Sequence, residues 1–429
     1  MKSGERMGKI LEIKEHDVIT CNKEYIHDSK YKYLDDKSFS DLENLVLTFN
    51  NKDADAIDFF SITTLRNVGK VIRAKNYVGI VQLKSGTQIQ ILPKIEVRQG
   101  YDTKIIFLRM LKSMKDFPSK IFNETNLSVD KMDLYEIFIK LYILELRSLL
   151  KKGLQGAYHA IEDNNQYYKG KLLINEHIKQ NVIHKERFYV QYDEFSINRA
   201  ENRLIKATLL ILLKKAKSLE NIKEMKQMLS GFERVEASNQ YEKDFSQVVV
   251  NRNSYEYTAL MKWSKVFLSN KSLTTFSGVT HGRALLFPME KVFESFVGNR
   301  LRRAVQDRDW NISLQDHRYY LFENQFAMKP DIVLEKKDGS RTIILDTKWK
   351  RLNAQSKSNY GIAQSDMYQM YAYAKKYSAH EVWLLYPIQE ELMQNLAFKS
   401  NDQVWVKLFF IDLCHIEENM NTLISLIES

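Results

Sequence analysis

The spacing of hydrophobic positions changes twice along the chain, near residue 100 and again near residue 280. The first stretch reads as strands and loops. Residues 77–83 and 87–92 flank Lys84-Ser85-Gly86, a short glycine-containing turn between two apolar runs, which predicts a β-hairpin. Pro93 ends the second strand because it has no N–H to give a ladder. From Thr103 the spacing becomes helical. Leu134, Ile137, Phe138, Leu141 and Leu144 recur every three or four residues, as one buried face of a helix requires. A second helix starts near Leu204 and ends among Lys214, Lys215 and Lys217, where the helix dipole favours cations. A third covers 222–229. After Gly282 the two periods alternate. A helix carries Met289, Val292, Phe293, Phe296, Val297 and Leu301 on one side, and strands follow near 312–314, 329–335 and 341–348. A helix over 364–377, strands over 380–386 and 403–411, and a last helix complete the segment. The pattern predicts a multidomain α+β chain: an N-terminal mainly β module over 1–100, a helical domain over 101–280, and a C-terminal α/β domain over 281–429.

Composition narrows the class. With 429 residues, 44% of them hydrophobic, the chain can bury two or three cores. Five prolines and 15 glycines exclude collagen-like and low-complexity architectures. The longest purely apolar run of the helical zone, 209–213, is far below the ~18 residues of a membrane span. Residues 1–6 lead into no apolar stretch, so no secretory signal is expected. Cys21 and Cys414 offer neither a disulfide framework nor a CxxC pair, which fits a reducing, cytoplasmic setting. The formal charge is +10, divided as about +2, +8 and 0 over the three segments. A surplus concentrated in the middle segment is the footprint of a polyanion binder, since each neutralised phosphate releases counterions.

The candidate chemistry lies in the third segment. Strands carrying Lys329-Pro330-Asp331 and Asp346-Thr347-Lys348 meet at Asp338-Gly339, a strong two-residue turn signal. If Lys337 pairs with Ser340, paired positions sum to 677 and Asp331 stands opposite Asp346. Directly opposed Cβ atoms lie roughly 4.5–5.5 Å apart, close enough for two carboxylates to share one cation. Like charges so placed repel, and a divalent metal would offset the repulsion. The period of two puts Lys348 on the face of Asp346. Asp346 would ligate Mg²⁺, a hard cation with oxygen ligands. Lys348 would orient or help deprotonate an attacking water, or stabilise charge on a phosphate. Glu290 and Glu294, one helical turn apart, each offer a further carboxylate, and Gln369 and Tyr373 also stand at i, i+4. An isolated D-x-K on a strand is usually a solvated face. The order glutamate helix, Pro-Asp strand, Asp-x-Lys strand, Gln-x-x-x-Tyr helix is much less common by accident.

These residues resemble the PD-(D/E)xK nuclease superfamily, and Gln369-Met370-Tyr371-Ala372-Tyr373 resembles the QxxxY motif of its RecB-like members. Ile91-Leu92-Pro93-Lys94-Ile95, Gly170-Lys171-Leu172, Tyr192 to Asn198 with Asn202-Arg203, and Met289 to Glu294 extend the resemblance from about Val68 onward. Together they are similar to McrC-like subunits of McrBC-type, modification-dependent restriction systems. The resemblance implies a restriction-endonuclease-like core and a Mg²⁺-dependent DNA endonuclease, with Mn²⁺ an acceptable substitute. Asp331 and Asp346 would hold the metal, Glu294 rather than Glu290 would support it, Lys348 would act on water, and Gln369 would orient the site. It further implies that an N-terminal part docks into a hexameric McrB-like AAA+ GTPase and stimulates its GTP hydrolysis, and that double-stranded, modified DNA is cut. No nucleotide is expected on this chain: Gly69-Lys70 is preceded by Thr64 where a phosphate loop needs glycine. Lys169 and Lys171, amid Tyr167 and Tyr168, and Tyr373 are candidate DNA contacts. His177 and His184 lack a third ligand and read as ordinary surface or hydrogen-bonded histidines. Two rival readings stay open, a non-catalytic GTPase-activating adaptor and a stand-alone RecB-like repair nuclease.

Overall fold

Gly79 shows how the first part of the chain is closed. The computed structural model describes residues 9–50, 59–95, 101–115, 117–118, 132–249, 255–269, 283–352, 359–388 and 396–429. Strands Tyr77–Gln82 and Gln88–Leu92 pair antiparallel around the Gly86 turn, as the sequence predicts. On one side Ile10–Lys14 joins in parallel, and on the other Arg283–Pro288 joins antiparallel. Gly79 faces Leu286 across that last ladder at φ 142°, and a Cβ there would lie 2.0 Å from the Leu285 carbonyl oxygen. Only glycine lets these two backbones approach so closely.

A strand from the third sequence segment thus completes the sheet of the first. The chain forms two compact units, one of residues 1–134 with 272–429, the other of 135–271. The boundaries drawn at 100 and 280 divide it differently, because hydrophobic periodicity reports elements and not which strand is hydrogen-bonded to which. The first unit also holds a second four-stranded sheet, in the order Tyr31–Tyr33, Val18–Thr20, Gly69–Ala74, Phe60–Leu65. Helix Asp36–Asn50 falls in the region read as strands and loops.

The third sheet of this unit has six strands, ordered Trp310–Leu314, Ile332–Lys336, Thr342–Thr347, Glu381–Pro387, Trp405–Ile411, Ala397–Lys399. Its central strands pair in parallel and its outer ones antiparallel, so it is a mixed sheet. Val333, Ile344, Leu384 and Leu408 of the central strands pack in one core with Met370, Tyr373 and Ala374 of helix Gln364–Lys376. Helices Met289–Ala304 and Ile416–Glu428 pack against each other and against strands of the sheet. The elements expected after residue 282 are present, together with a small hairpin, Tyr320–Phe322 with Gln325–Ala327, that no hydrophobic alternation announced.

The second unit is helical around Tyr142, Trp263 and Phe267, whose rings meet at 5.5–5.9 Å. It also contains a three-stranded sheet, Ala157–Asn165, Phe188–Ser196 and Lys171–Leu172, which the reading of 101–280 as helical did not include. These strands carry few buried residues, so no core face marks them. No helix among the described residues is long and apolar enough to cross a membrane.

Candidate active site

The hairpin register follows the predicted sum: Ile332 faces Leu345, Val333 faces Ile344, and Glu335 faces Thr342. The turn itself is longer than two residues. Gly339, at φ 75°, donates its N–H to the Lys336 carbonyl, and Lys336 pairs with Arg341. Four residues therefore loop out symmetrically, which leaves the register unchanged. The ladder stops at Ile332, however, and Asp331 does not simply face Asp346. Its Oδ2 accepts from the Thr347 N–H at 2.7 Å and from Thr347 Oγ1 at 2.6 Å. Thr347, which the period of two puts on the face opposite Asp346 and Lys348, is thus the clamp that orients Asp331.

Asp346 is 2% exposed. Its Oδ2 lies 2.5 Å from Lys348 Nζ, an ion pair without the angles of a hydrogen bond. Lys348 Nζ also donates to Gln369 Oε1 at 2.9 Å, and Gln369 Nε2 donates to the Tyr373 hydroxyl at 2.9 Å. Two turns of helix Gln364–Lys376 thus hold the lysine of the neighbouring strand. The same helix presents Asp366, 6% exposed, which pairs with Lys350 at 2.9 Å and lies 3.9 Å from Lys348. Its position three residues before Gln369 was a readable signal, since i and i+3 share a helix face.

Glu294, half-buried on helix Met289–Ala304, accepts from Gln315 Nε2 at 2.7 Å. Gln315 also donates its N–H to the Asp331 carbonyl at 2.8 Å and sits at φ 50°. No motif in the sequence marks Gln315, the first of the polar residues Gln315-Asp316-His317-Arg318 that follow strand Trp310–Leu314. Glu290 is exposed and accepts from Asn76 Nδ2 at 3.2 Å.

Electrostatics follow from burial and crowding. Burial pushes the Asp346 carboxyl up to about 7, and the Asp331 charge adds to it while Lys348 opposes it. Burial and then Asp331 raise Glu294, also to about 7. Asp331 is raised by burial despite its bonds from Thr347. Burial works against the Lys348 ammonium, but Asp346, Asp366 and Asp331 more than offset it, so its pKa lies above the ordinary lysine value.

Among the described residues no group of three or more His, Cys, Asp or Glu is arranged to hold a metal ion. The donors that are present still fit a hard divalent cation. They are the carboxylates of Asp331, Asp346 and Glu294, each raised in pKa first by burial, with the Asp331 charge raising the other two, and Asp346 Oδ2 is buried without a hydrogen-bond partner. Mg²⁺ commonly takes one or two carboxylates and completes its shell with water and phosphate.

Of the expected DNA contacts, Tyr373 is corrected. It is 5% exposed, packs in the core of its sheet, and anchors Gln369. Lys169 and Lys171 lie in the second unit, Lys169 Nζ resting 3.8 Å over the Tyr192 ring. His177 Nδ1 bonds with Asn181 and accepts from the Tyr189 N–H, and His184 meets Glu186 at 3.2 Å.

Comparison with known proteins places the chain in a family. No curated protein matches the sequence significantly. The fold is similar to a chain in the refined half-complex from the tetradecameric assembly of Thermococcus gammatolerans McrB AAA+ hexamers with bound McrC. The TM-score is 0.75 at 18% identity, over 98% of this chain and 100% of that one. A chain of the Thermococcus gammatolerans McrBC complex matches at TM-score 0.52 and 20% identity, over 69% of this chain and 88% of that one. The family model for the McrBC 5-methylcytosine restriction system component matches residues 72–387. With that match over most of its length and the fold of McrC, this chain belongs to the McrBC restriction system component family as a McrC-like subunit.

Proposed function

We propose that the chain is the DNA endonuclease subunit of a McrBC-like complex, hydrolysing phosphodiesters at a PD-(D/E)xK-type site in the six-stranded sheet. The observation that carries this reading is the Lys348 ammonium held between Asp346 and Gln369, beside the carboxylates of Asp331 and Glu294. Asp331 and Asp346 would hold Mg²⁺, with Glu294 in support. The bound ion would polarise a phosphate oxygen and lower the pKa of a coordinated water. Lys348 would orient or help deprotonate the attacking water, or stabilise negative charge on the phosphate. Gln369 fixes its direction, Tyr373 fixes Gln369, and Gln315 fixes Glu294.

The partner would be an AAA+ GTPase ring whose GTP hydrolysis this chain stimulates and which licenses cutting of modified double-stranded DNA. The solved relative in its McrB hexamer supports that reading. We assign ring docking to the three-stranded sheet of the second unit and its adjoining loops rather than to residues 1–100. Tyr158, Tyr167, Ile183 and Phe195 there are 72%, 75%, 86% and 56% exposed. Exposed large apolar side chains, of which Tyr158 and Phe195 pair with ring centroids 5.4 Å apart, mark an interaction surface.

The test is cleavage of methylated and unmethylated plasmid in Mg²⁺, by wild type, Asp346→Ala and Lys348→Ala, each alone and with GTP and the cognate AAA+ protein. Breaks made only by wild type, and only with partner and GTP, support a licensed nuclease. Unchanged cutting by both variants would sink the site assignment, and cutting of unmodified DNA without a partner would select the stand-alone nuclease. The rival reading is a GTPase-activating adaptor that makes no breaks. Stimulated GTP turnover with no breaks on any substrate would select it.

A further inference from the structure

Glu15 is buried to 1% exposure at the end of strand Ile10–Lys14, far in sequence from the candidate site. Its carboxylate accepts from the Trp349 indole Nε1, at 3.0 Å to Oε1 and 3.1 Å to Oε2, and Oε2 also accepts from the Lys94 N–H at 3.0 Å. Trp349 directly follows Lys348 and is 7% exposed. Its ring packs on Phe293 with centroids 5.3 Å apart, and Phe293 directly precedes Glu294. One carboxylate therefore holds an indole that touches both arms of the site, the Asp-x-Lys strand and the glutamate helix.

We infer that Glu15 is a positioning residue of the candidate active site, clamping Trp349 and thereby setting Lys348 and Glu294. The inference rests on the nuclease reading above. Glu15 itself is aimed by rigid backbone. Its N–H bonds to the Leu92 carbonyl, and the next residue, His16, turns at φ 67° with its N–H on the Ala74 carbonyl. Asp17 closes the turn, its N–H on the Lys14 carbonyl and its Oδ2 accepting from the Lys14 N–H. The same sheet holds the start of the glutamate helix, because the Asn76 carbonyl accepts from the Met289 N–H and its side chain meets Glu290.

A carboxylate is a costly way to fill such a position. Burial raises Glu15 to about 7, and a pair of apolar side chains of similar volume would pack there without the desolvation cost. What an apolar pair lacks is direction. A hydrogen bond from a carboxylate to an indole N–H fixes how the ring is turned, and a ring turned otherwise moves its neighbours on both arms.

The experiment compares Glu15→Gln and Glu15→Leu in the full chain with its cognate AAA+ GTPase, GTP, Mg²⁺ and methylated plasmid. Glutamine keeps an oxygen for the indole, so cleavage is expected within ~2-fold of wild type. Leucine removes it, and kcat is expected to fall by ~10- to 100-fold, as small misplacements at a reacting centre do. KM for DNA and GTPase stimulation are expected to stay near wild type, while Glu15→Leu melts lower because the Trp349 indole and Lys94 N–H groups lose their acceptor. Amide hydrogen exchange over 346–350 should rise in Glu15→Leu and not in Glu15→Gln. A folded Glu15→Leu with wild-type kcat and exchange overturns the inference, as does a glutamine variant impaired as deeply as the leucine one. If Glu15→Leu fails to fold, Glu15→Leu with Trp349→Phe, apolar on both sides, takes its place under the same criteria. If wild type itself makes no breaks, the nuclease reading fails and hydrogen exchange alone decides the clamp.

Discussion

Lys348 carries its charge between an aspartate and a glutamine amide, and that arrangement has consequences at single residues. Gln369→Leu removes the amide but keeps the helix, so cleavage should drop by ~10-fold with little change in melting temperature. Steady-state cleavage beside thermal denaturation checks it. Asp346 gives a pH signature. Its folded pKa is raised above that of an unfolded carboxyl, so its contribution to stability is present at low pH and lost as pH rises from the ordinary carboxylate range through about 7. In the absence of divalent cations, Asp346→Asn should therefore raise the melting temperature by a few degrees at pH 8, and the gain should vanish toward pH 4. A scan of both proteins with chelator reads this directly, and a gain that grows on acidification would contradict it. Asp331, Asp346, Lys348 and Gln369 were legible because short motifs sit at fixed offsets on regular elements. Gln315 and Glu15 were not, since each acts through a contact made 16 or more positions away in sequence.

At the scale of elements, the hairpin of Ile332–Lys336 and Thr342–Thr347 was legible in register although not in turn length. Any symmetric loop conserves the sum of paired positions, so the Asp-Gly signal located the axis of the hairpin and left its width open. The clamp on Asp331 was invisible, because alternation assigns Thr347 to one face and says nothing of where a ladder ends. Strand Arg283–Pro288 was likewise read only as the start of a new segment. Its close approach to Gly79 predicts that Gly79→Ala costs roughly 1–3 kcal/mol, the range for forcing extra atoms into a packed site. Chemical denaturation should show a lower midpoint with an unchanged slope. An unchanged midpoint would mean the sheet can open at that strand without loss.

At the scale of the whole molecule, the proposed docking surface and the candidate site lie in different compact units. Tyr158 and Phe195 form a cross-strand pair with ring centroids 5.4 Å apart, and Phe195 lies over Gly156, where a Cβ would strike its ring. The exposed pair is held by its own sheet, so charges placed there should leave the fold intact. Tyr158→Glu with Phe195→Glu is expected to abolish co-elution with the AAA+ ring and GTPase stimulation while circular dichroism and melting stay near wild type. Retained co-elution would move the docking surface elsewhere.

Local pattern was enough for the order and type of most elements from residue 282 onward, for the hairpin axis, and for Asp346 and Gln369 as the partners of Lys348. Those properties are local or set by period, and a short-range pattern is enough to express them. Tertiary structure alone decided that residues 1–100 share a compact unit with the candidate site, and that a strand from beyond residue 282 completes their sheet. It alone decided that Glu15 reaches Trp349 across 334 positions. Such pairings join groups whose separation along the chain carries no period, and only the packing that buries them brings them within bonding distance.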